Sequence, residues 1–174
     1  MDKPLKEILL NTKKNKAKVI TFLKGLVHRK IDIKKIDAFA KNANKTAFEK
    51  IDCLACGNCC KAMTPTFNEA DIKRIARHFT MRSEEFKDTY LDYETKGKDW
   101  INKKMPCSFL NQTSNKCSIY DIRPHDCASF PHTQLDDFIH NSKMHKQNIL
   151  YCPITAVVVE QMMEAVLITK TLKA

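Results

Sequence analysis

Four cysteines fall within eight residues: Cys53, Cys56, Cys59 and Cys60, spaced C-x2-C-x2-C-C. A two-residue spacer lets a tight turn aim two thiolates at one ion and leaves backbone N–H groups for the sulfurs. Three Cys at that period can hold three corners of an iron–sulfur cluster, as in the bacterial ferredoxin run. Cys60 adjoins Cys59, and neighbouring side chains tend to point apart, so Cys60 is expected to serve a different site. Four more thiols follow, Cys107, Cys117, Cys127 and Cys152, separated by 9, 9 and 24 residues. Ligands so far apart come from separate elements that a metal ties together as part of folding. Eight thiols divide into two four-ligand sites, each a Zn²⁺ or a [4Fe–4S] cluster. One division is Cys53, Cys56 and Cys59 with a remote Cys, and Cys60 with the other three; the spacing leaves open which remote Cys joins the triplet. The triplet and Cys152-Pro153 favour [4Fe–4S] over zinc.

Other groups are weaker candidates. His125 and His132 flank Cys127, but with eight thiols present they are expected around the metal rather than on it. Arg123 suits either a hydrogen-bonding role near a negatively charged cluster or an anionic substrate. Tyr120 and Trp100 read as core. No Ser/His/Asp order and no paired-carboxylate spacing stands out. Only three Gly are present, Gly25, Gly57 and Gly97, none near another. That excludes a phosphate-binding P-loop and argues against a dinucleotide site and a turn-rich β fold. The sequence has neither a signal-peptide pattern nor the run of about 20 apolar residues that a membrane helix needs. A cytoplasmic protein with reduced thiols is expected, in which clustered Cys hold metal rather than form disulfides.

Charge divides the chain. Residues 1–50 contain 14 Lys and Arg against 5 Asp and Glu, a net of +9, and no Cys. Residues 51–174 contain 16 against 15, a net of +1, and all eight Cys. This predicts a basic helical N-terminal arm over 1–50 and a cysteine-cluster domain over 51–174. In the arm, Leu5, Ile8, Leu9 and Thr12, then Val19, Phe22, Leu23, Leu26 and Val27, recur at helical spacing. Asp32 can cap a helix burying Ile33, Ile36, Ala40 and Ala43, and Thr46 with Glu49 suggests a separate short turn. The Cys53–Cys60 stretch, with its Gly57-Asn58 pair, reads as a loop. Helices are expected after Asn68, burying Ile72, Ile75, Ala76 and Phe79, and from Ser83. Hairpins are expected around Gly97 and between Cys107 and Tyr120. Residues 131–148 read as irregular, and Pro153 as the first position of a last helix carrying Ile154, Val157, Val158, Gln161, Met162, Ala165 and Ile168. The predicted fold is mainly α with one or two small β-hairpins, held together by metal.

The motifs extend beyond the first cluster. Pro106-Cys107-Ser108-Phe109-Leu110 is followed by Cys117-Ser118-Ile119-Tyr120. Arg123-Pro124-His125-Asp126-Cys127, Phe130-Pro131 and Cys152-Pro153 come after it. In this order the chain resembles the YkgJ-type cysteine-cluster family of zinc- or iron-chelating domains, over about residues 51–155. The resemblance implies a bacterial, cytoplasmic metal-binding protein. It includes a relative, the flagellin lysine N-methylase, which makes methyl transfer from S-adenosylmethionine an alternative. No separate Gly-rich cofactor domain is present here, so the cysteine module itself would do that work. Where the family usually has Arg after the Cys of its RP segment, this chain has Ala128. The leading reading is a metal-binding protein. Its rivals are a cluster-dependent enzyme, in methyl or electron transfer, and a zinc-stapled interaction module. In the last, the basic arm would meet an acidic protein partner; its charge also suits an anionic membrane or, non-specifically, nucleic acid.

Overall fold

The computed structural model describes residues 3–28 and 32–171, with side chains to residue 166. In chain order the helices and strands are α1 (Lys3–Lys14), α2 (Lys16–Leu26), α3 (Ile33–Lys50), α4 (Cys53–Cys56), α5 (Asn58–Ala62), β1 (Thr66–Phe67), α6 (Glu69–His78) and α7 (Ser83–Tyr90). They continue with β2 (Leu91–Glu94), β3 (Asp99–Asn102), β4 (Leu110–Asn111), β5 (Lys116–Cys117), a 3-10 turn at Tyr120–Ile122, α8 (His125–Ser129), α9 (Ser142–Asn148) and α10 (Pro153–Thr171). The fold of the described residues is therefore mainly α with small antiparallel hairpins. No described helix is long and apolar enough to cross a membrane. The chain packs as two units. One joins the residues up to Cys56 with those from Pro131 onward; the other is Gly57–Phe130. This packing boundary and the charge boundary near residue 51 cut the chain at different places.

In the first unit α10 packs against α1, α2, α3 and α9. The stripe expected on α1 and α2 is buried at Leu5, Leu9, Thr12, Val19, Phe22, Leu23 and Leu26, whereas Val27 ends up exposed. Asp32 caps α3, its side chain accepting from the Lys34 N–H at 2.9 Å. The separate turn expected at Thr46–Glu49 does not form, because α3 runs unbroken to Lys50. No Pro or Gly interrupts it, and the Thr46 hydroxyl donates to the Asn42 carbonyl one turn back instead of capping a new start. Residues 131–148 are less irregular than their polarity suggests, since α9 occupies Ser142–Asn148 and buries His145 and Asn148. On α10, Ile154, Val158 and Met162 are buried, and Val157, Gln161 and Ala165 half-buried. The side chain of Ile168 lies outside the described residues.

In the second unit α6 and α7 back a three-stranded sheet ordered β1-β3-β2, with Phe67 opposite Trp100 and Tyr93 also opposite Trp100. The hairpin β2–β3 was readable around Gly97; the two-residue β1 that extends it was not. Phe67, Ile72, Ile75, Phe86, Leu91, Phe109 and Ile119 form the core, with Phe79, Tyr90 and Trp100 packed against it. Phe86 and Phe109 stack at 6.1 Å and 7°. Phe109 lies two residues after Cys107, so the aromatic core fixes the backbone from which that thiol projects. A capping box starts α6: Asn68 Oδ1 accepts from the Asp71 N–H, and Asp71 Oδ2 from the Asn68 N–H.

Candidate metal centre

The eight Cys form no disulfide. Cys53–Cys60 is not the loop expected of it. It forms two single helical turns, α4 and α5, with Gly57 between them at a left-handed φ of 55°. A Cβ on Gly57 would stand 2.7 Å from Asn115 Nδ2, so the turn between β4 and β5 closes directly on this glycine. The packing boundary falls just before Gly57. Cys53, Cys56 and Cys152 belong to the first unit, and Cys59, Cys60, Cys107, Cys117 and Cys127 to the second.

Cys59 and Cys60 do not diverge. Their Sγ atoms are 3.9 Å apart. On a helical turn, consecutive side chains differ by only about 100°, not the half-turn of a strand. Thiolates sharing one tetrahedral zinc, with bonds of about 2.3 Å, would be separated by about 3.8 Å. The hydrogen bond from Cys59 is the main reason the Cys60 thiol is lowered to about 7; Lys61 lowers it further, against its partial burial.

Three remote thiols of the second unit face the opposite constraint. Cys107 is tied to α5 by its N–H, which donates to the Cys60 carbonyl at 2.8 Å. Burial pushes its thiol up to about 11, opposed by the Phe109 and Leu110 N–H groups and reinforced by Cys60 and Cys117. Burial also raises Cys117 on β5, where the Ile119 N–H and the Arg123 guanidinium pull back and Cys60 pushes up. Cys127 on α8 is raised by burial, then by Asp126, Cys60, Cys107 and Cys117. Cys60, Cys107, Cys117 and Cys127 are thus electrostatic neighbours. Yet among the described residues no three His, Cys, Asp or Glu close on a common point as a finished coordination shell. The donor chemistry fits a thiophilic metal. Burial disfavours the thiolate form of these half-buried thiols unless a cation offsets the charge, and two of them already have N–H groups placed for a thiolate.

In the first unit Cys152 stands at the start of α10. Burial raises its thiol, the Thr155 and Ile154 N–H groups and the Thr155 hydroxyl lower it, and Cys56 raises it again. A nascent negative charge here meets the positive end of a long helix.

Two carboxylates unremarked in the sequence hold α8 in place. Buried Asp71 accepts from the His125 N–H at 3.1 Å and from Arg74 Nη2 at 2.7 Å. Asp126 Oδ2 accepts from the Thr66 N–H at 2.9 Å. The helix start at Asn68 was legible, but the reach of Asp71 over 54 positions to His125 was not. Arg123 stacks on Tyr120 at 3.9 Å and donates to the Tyr120 carbonyl at 2.6 Å, while lowering Cys117. His125 is exposed, with its backbone rather than its ring engaged by Asp71.

These features define a class: a mainly helical chain whose candidate ligands are buried and half-buried thiols drawn from distant segments. The chain belongs to the CxxCxxCC family, described as "Putative zinc- or iron-chelating domain", whose model matches residues 52–153. An uncharacterized protein of Methanocaldococcus jannaschii is 30% identical over 90 residues, covering 47% of this chain and 44% of that protein. The chain therefore matches less than half the length of this relative. No solved structure matches it.

Proposed function

We propose that this chain is a cytoplasmic thiolate chelator of iron, held as [4Fe–4S], with zinc as the rival occupant. Family membership supports chelation of one or the other. The carrying observation is the four-thiol neighbourhood of Cys60, Cys107, Cys117 and Cys127 within one packing unit. We assign these four to one site. Cys53, Cys56 and Cys152 are the further ligands, in the first unit; Cys59, its Sγ 3.9 Å from that of Cys60, is the feature that favours the zinc rival. The pairing of Cys56 with Cys152, and of the other three remote thiols with Cys60, supports Cys152 as the remote partner of the triplet's segment. Asp71 and Asp126 act as positioning residues through α8, and Arg123 offsets negative charge beside Cys117. When bound, the metal supplies either a structural staple or a redox-active cluster.

Purification without oxygen, visible absorption and metal analysis test this reading. Brown protein with iron and acid-labile sulfide supports it. Colourless protein with stoichiometric zinc overturns the iron–sulfur assignment and keeps chelation. Metal content unchanged in Cys60→Ser, Cys107→Ser and Cys127→Ser would overturn the four-thiol site.

A further inference from the structure

The positive charge of the chain is not spread over the molecule. The first packing unit holds 18 Lys and Arg against 10 Asp and Glu, a net of +8, and the second 12 against 10, a net of +2. Most of that excess lies on α1, α2 and α3, whose described lysines are all exposed. Exposed Glu7 and Glu49 stand among these lysines but are far outnumbered. Asp37 is turned inward, accepting from the Asp137 and Phe138 N–H groups, and Asp136 meets Lys41. The junction of α1 and α2 concentrates Lys13, Lys14, Lys16 and Lys18 in six residues. Two of these sit in the first turn of α2, where the helix dipole is also positive. No acidic residue offsets them in that turn.

Apolar side chains stand among these charges. Of the eight large hydrophobic side chains exposed among the described residues, five are on this segment: Leu10, Val27, Ile33, Phe39 and Phe48. Leu10 is 56% exposed, whereas its neighbour Leu9 is 4% exposed and in the core. Helical spacing puts Lys6 one turn before Leu10 and Lys13 and Lys14 one turn after it. On α3, Phe48 at 40% and Phe39 at 38% lie toward the two sides of a lysine face.

We propose that this face of α1–α3 docks on an anionic lipid surface. Lysines attract acidic headgroups while single apolar side chains enter the boundary between headgroups and acyl chains. The scattered placement is what distinguishes the partner. A protein interface needs a contiguous apolar centre with a polar rim, and Phe39 and Phe48, nine residues apart on α3 and so about half a turn apart around it, do not make one. Nucleic-acid recognition draws on arginine forks for phosphates and base edges, and residues 1–50 have thirteen Lys to one Arg.

Flotation of the full chain with vesicles is the test. Vesicles of phosphatidylcholine mixed with phosphatidylserine are expected to carry the protein at low salt; phosphatidylcholine alone is not. Leu10→Ser and Phe48→Ser preserve charge and alter exposed positions, and each should lower the bound fraction about threefold or more. Lys13→Ala with Lys14→Ala and Lys16→Ala should abolish binding, as should high salt. Circular dichroism identical to the parent is the check that each variant is folded. The proposal is overturned if mixed vesicles do not bind the parent. It is overturned equally if neither apolar variant weakens binding, or if an oligonucleotide or polyglutamate strips the protein from vesicles at equal charge concentration.

Discussion

Gly57 combines two demands that no other residue meets together. Its φ of 55° disfavours a Cβ, and Asn115 fills the place a Cβ would occupy. Gly57→Ala should therefore cost about 1–2 kcal/mol or more and loosen the turn carrying Cys59 and Cys60. A lower melting temperature of the metal-free protein, together with reduced metal stoichiometry, is the expected outcome. The remote thiols make a second residue-scale prediction. Cys107, whose thiol is pushed up to about 11, keeps its proton at neutral pH until a metal displaces it, and Cys117 and Cys127 behave alike. Metal affinity should fall as pH falls, by up to tenfold per pH unit for each proton released. Titration calorimetry in buffers of different ionisation heat would count those protons. All eight thiols were legible by type and spacing. The closeness of Cys59 to Cys60 was not, because it depends on whether the segment is loop or helix, and C-x2-C spacing suits both.

The elements that aim the thiols are held by a few long-range bonds. Asp71 serves the start of α6, the guanidinium of Arg74 and the start of α8 at once. Asp71→Ala leaves buried N–H groups without their acceptor and should cost about 3 kcal/mol. Asp71→Asn should cost less but still weaken metal retention through Cys127. Chemical unfolding, followed by metal release to a chelator, measures both. Phe86→Ala would open a cavity in the aromatic stack and should cost about 3–5 kcal/mol. Near-ultraviolet circular dichroism should report the lost packing. At this scale the sequence was informative where a local rule was enough. Asp32, Asn68 and Pro153 mark real helix starts, and apolar spacing found the buried faces of α1, α2 and α6. It was uninformative where tertiary packing decided the outcome, as in the two-residue β1 and the polar helix α9.

At the scale of the molecule, His145 is a liability in acid. It is fully buried in the first unit, stacked on Phe138 at 4.1 Å. Neither ring nitrogen has a hydrogen-bond partner in good geometry. Burial, with the charge of His132, lowers it from the usual 6.5 to about 4; a Phe138 backbone group opposes this only partly. A depressed folded value means that the unfolded chain takes up the proton first. The stability this neutral ring contributes is therefore full above about pH 6.5 and is lost as pH falls toward 4. The melting temperature should decline across that window, and His145→Phe should flatten the decline. Restoration of a steep decline by the thiol proton uptake alone would be seen only with metal bound, so the comparison belongs to metal-free protein. Charge patterning in the sequence located the basic segment. It did not show that α1–α3 pack with α10, because that association joins the chain's two ends through apolar faces that any amphipathic helix shares.

That arrangement also sets an order of events during synthesis. The stretch Gly57–Phe130 is continuous in the chain, so its unit can complete as soon as residue 130 clears the ribosome. The three helices made earliest must wait. Although α1 and α2 touch each other and α2 later meets α9, their apolar stripes are not fully covered until α10 emerges, about a hundred residues after α3. The inserted unit, with Cys60, Cys107, Cys117 and Cys127, is thus able to mature inside a chain whose first-made helices are still incompletely covered. Arrested nascent chains ending shortly after residue 130 should already protect those four thiols from alkylation when metal is supplied. Chaperones that shield exposed apolar helices should remain bound to the same chains until the final helix arrives.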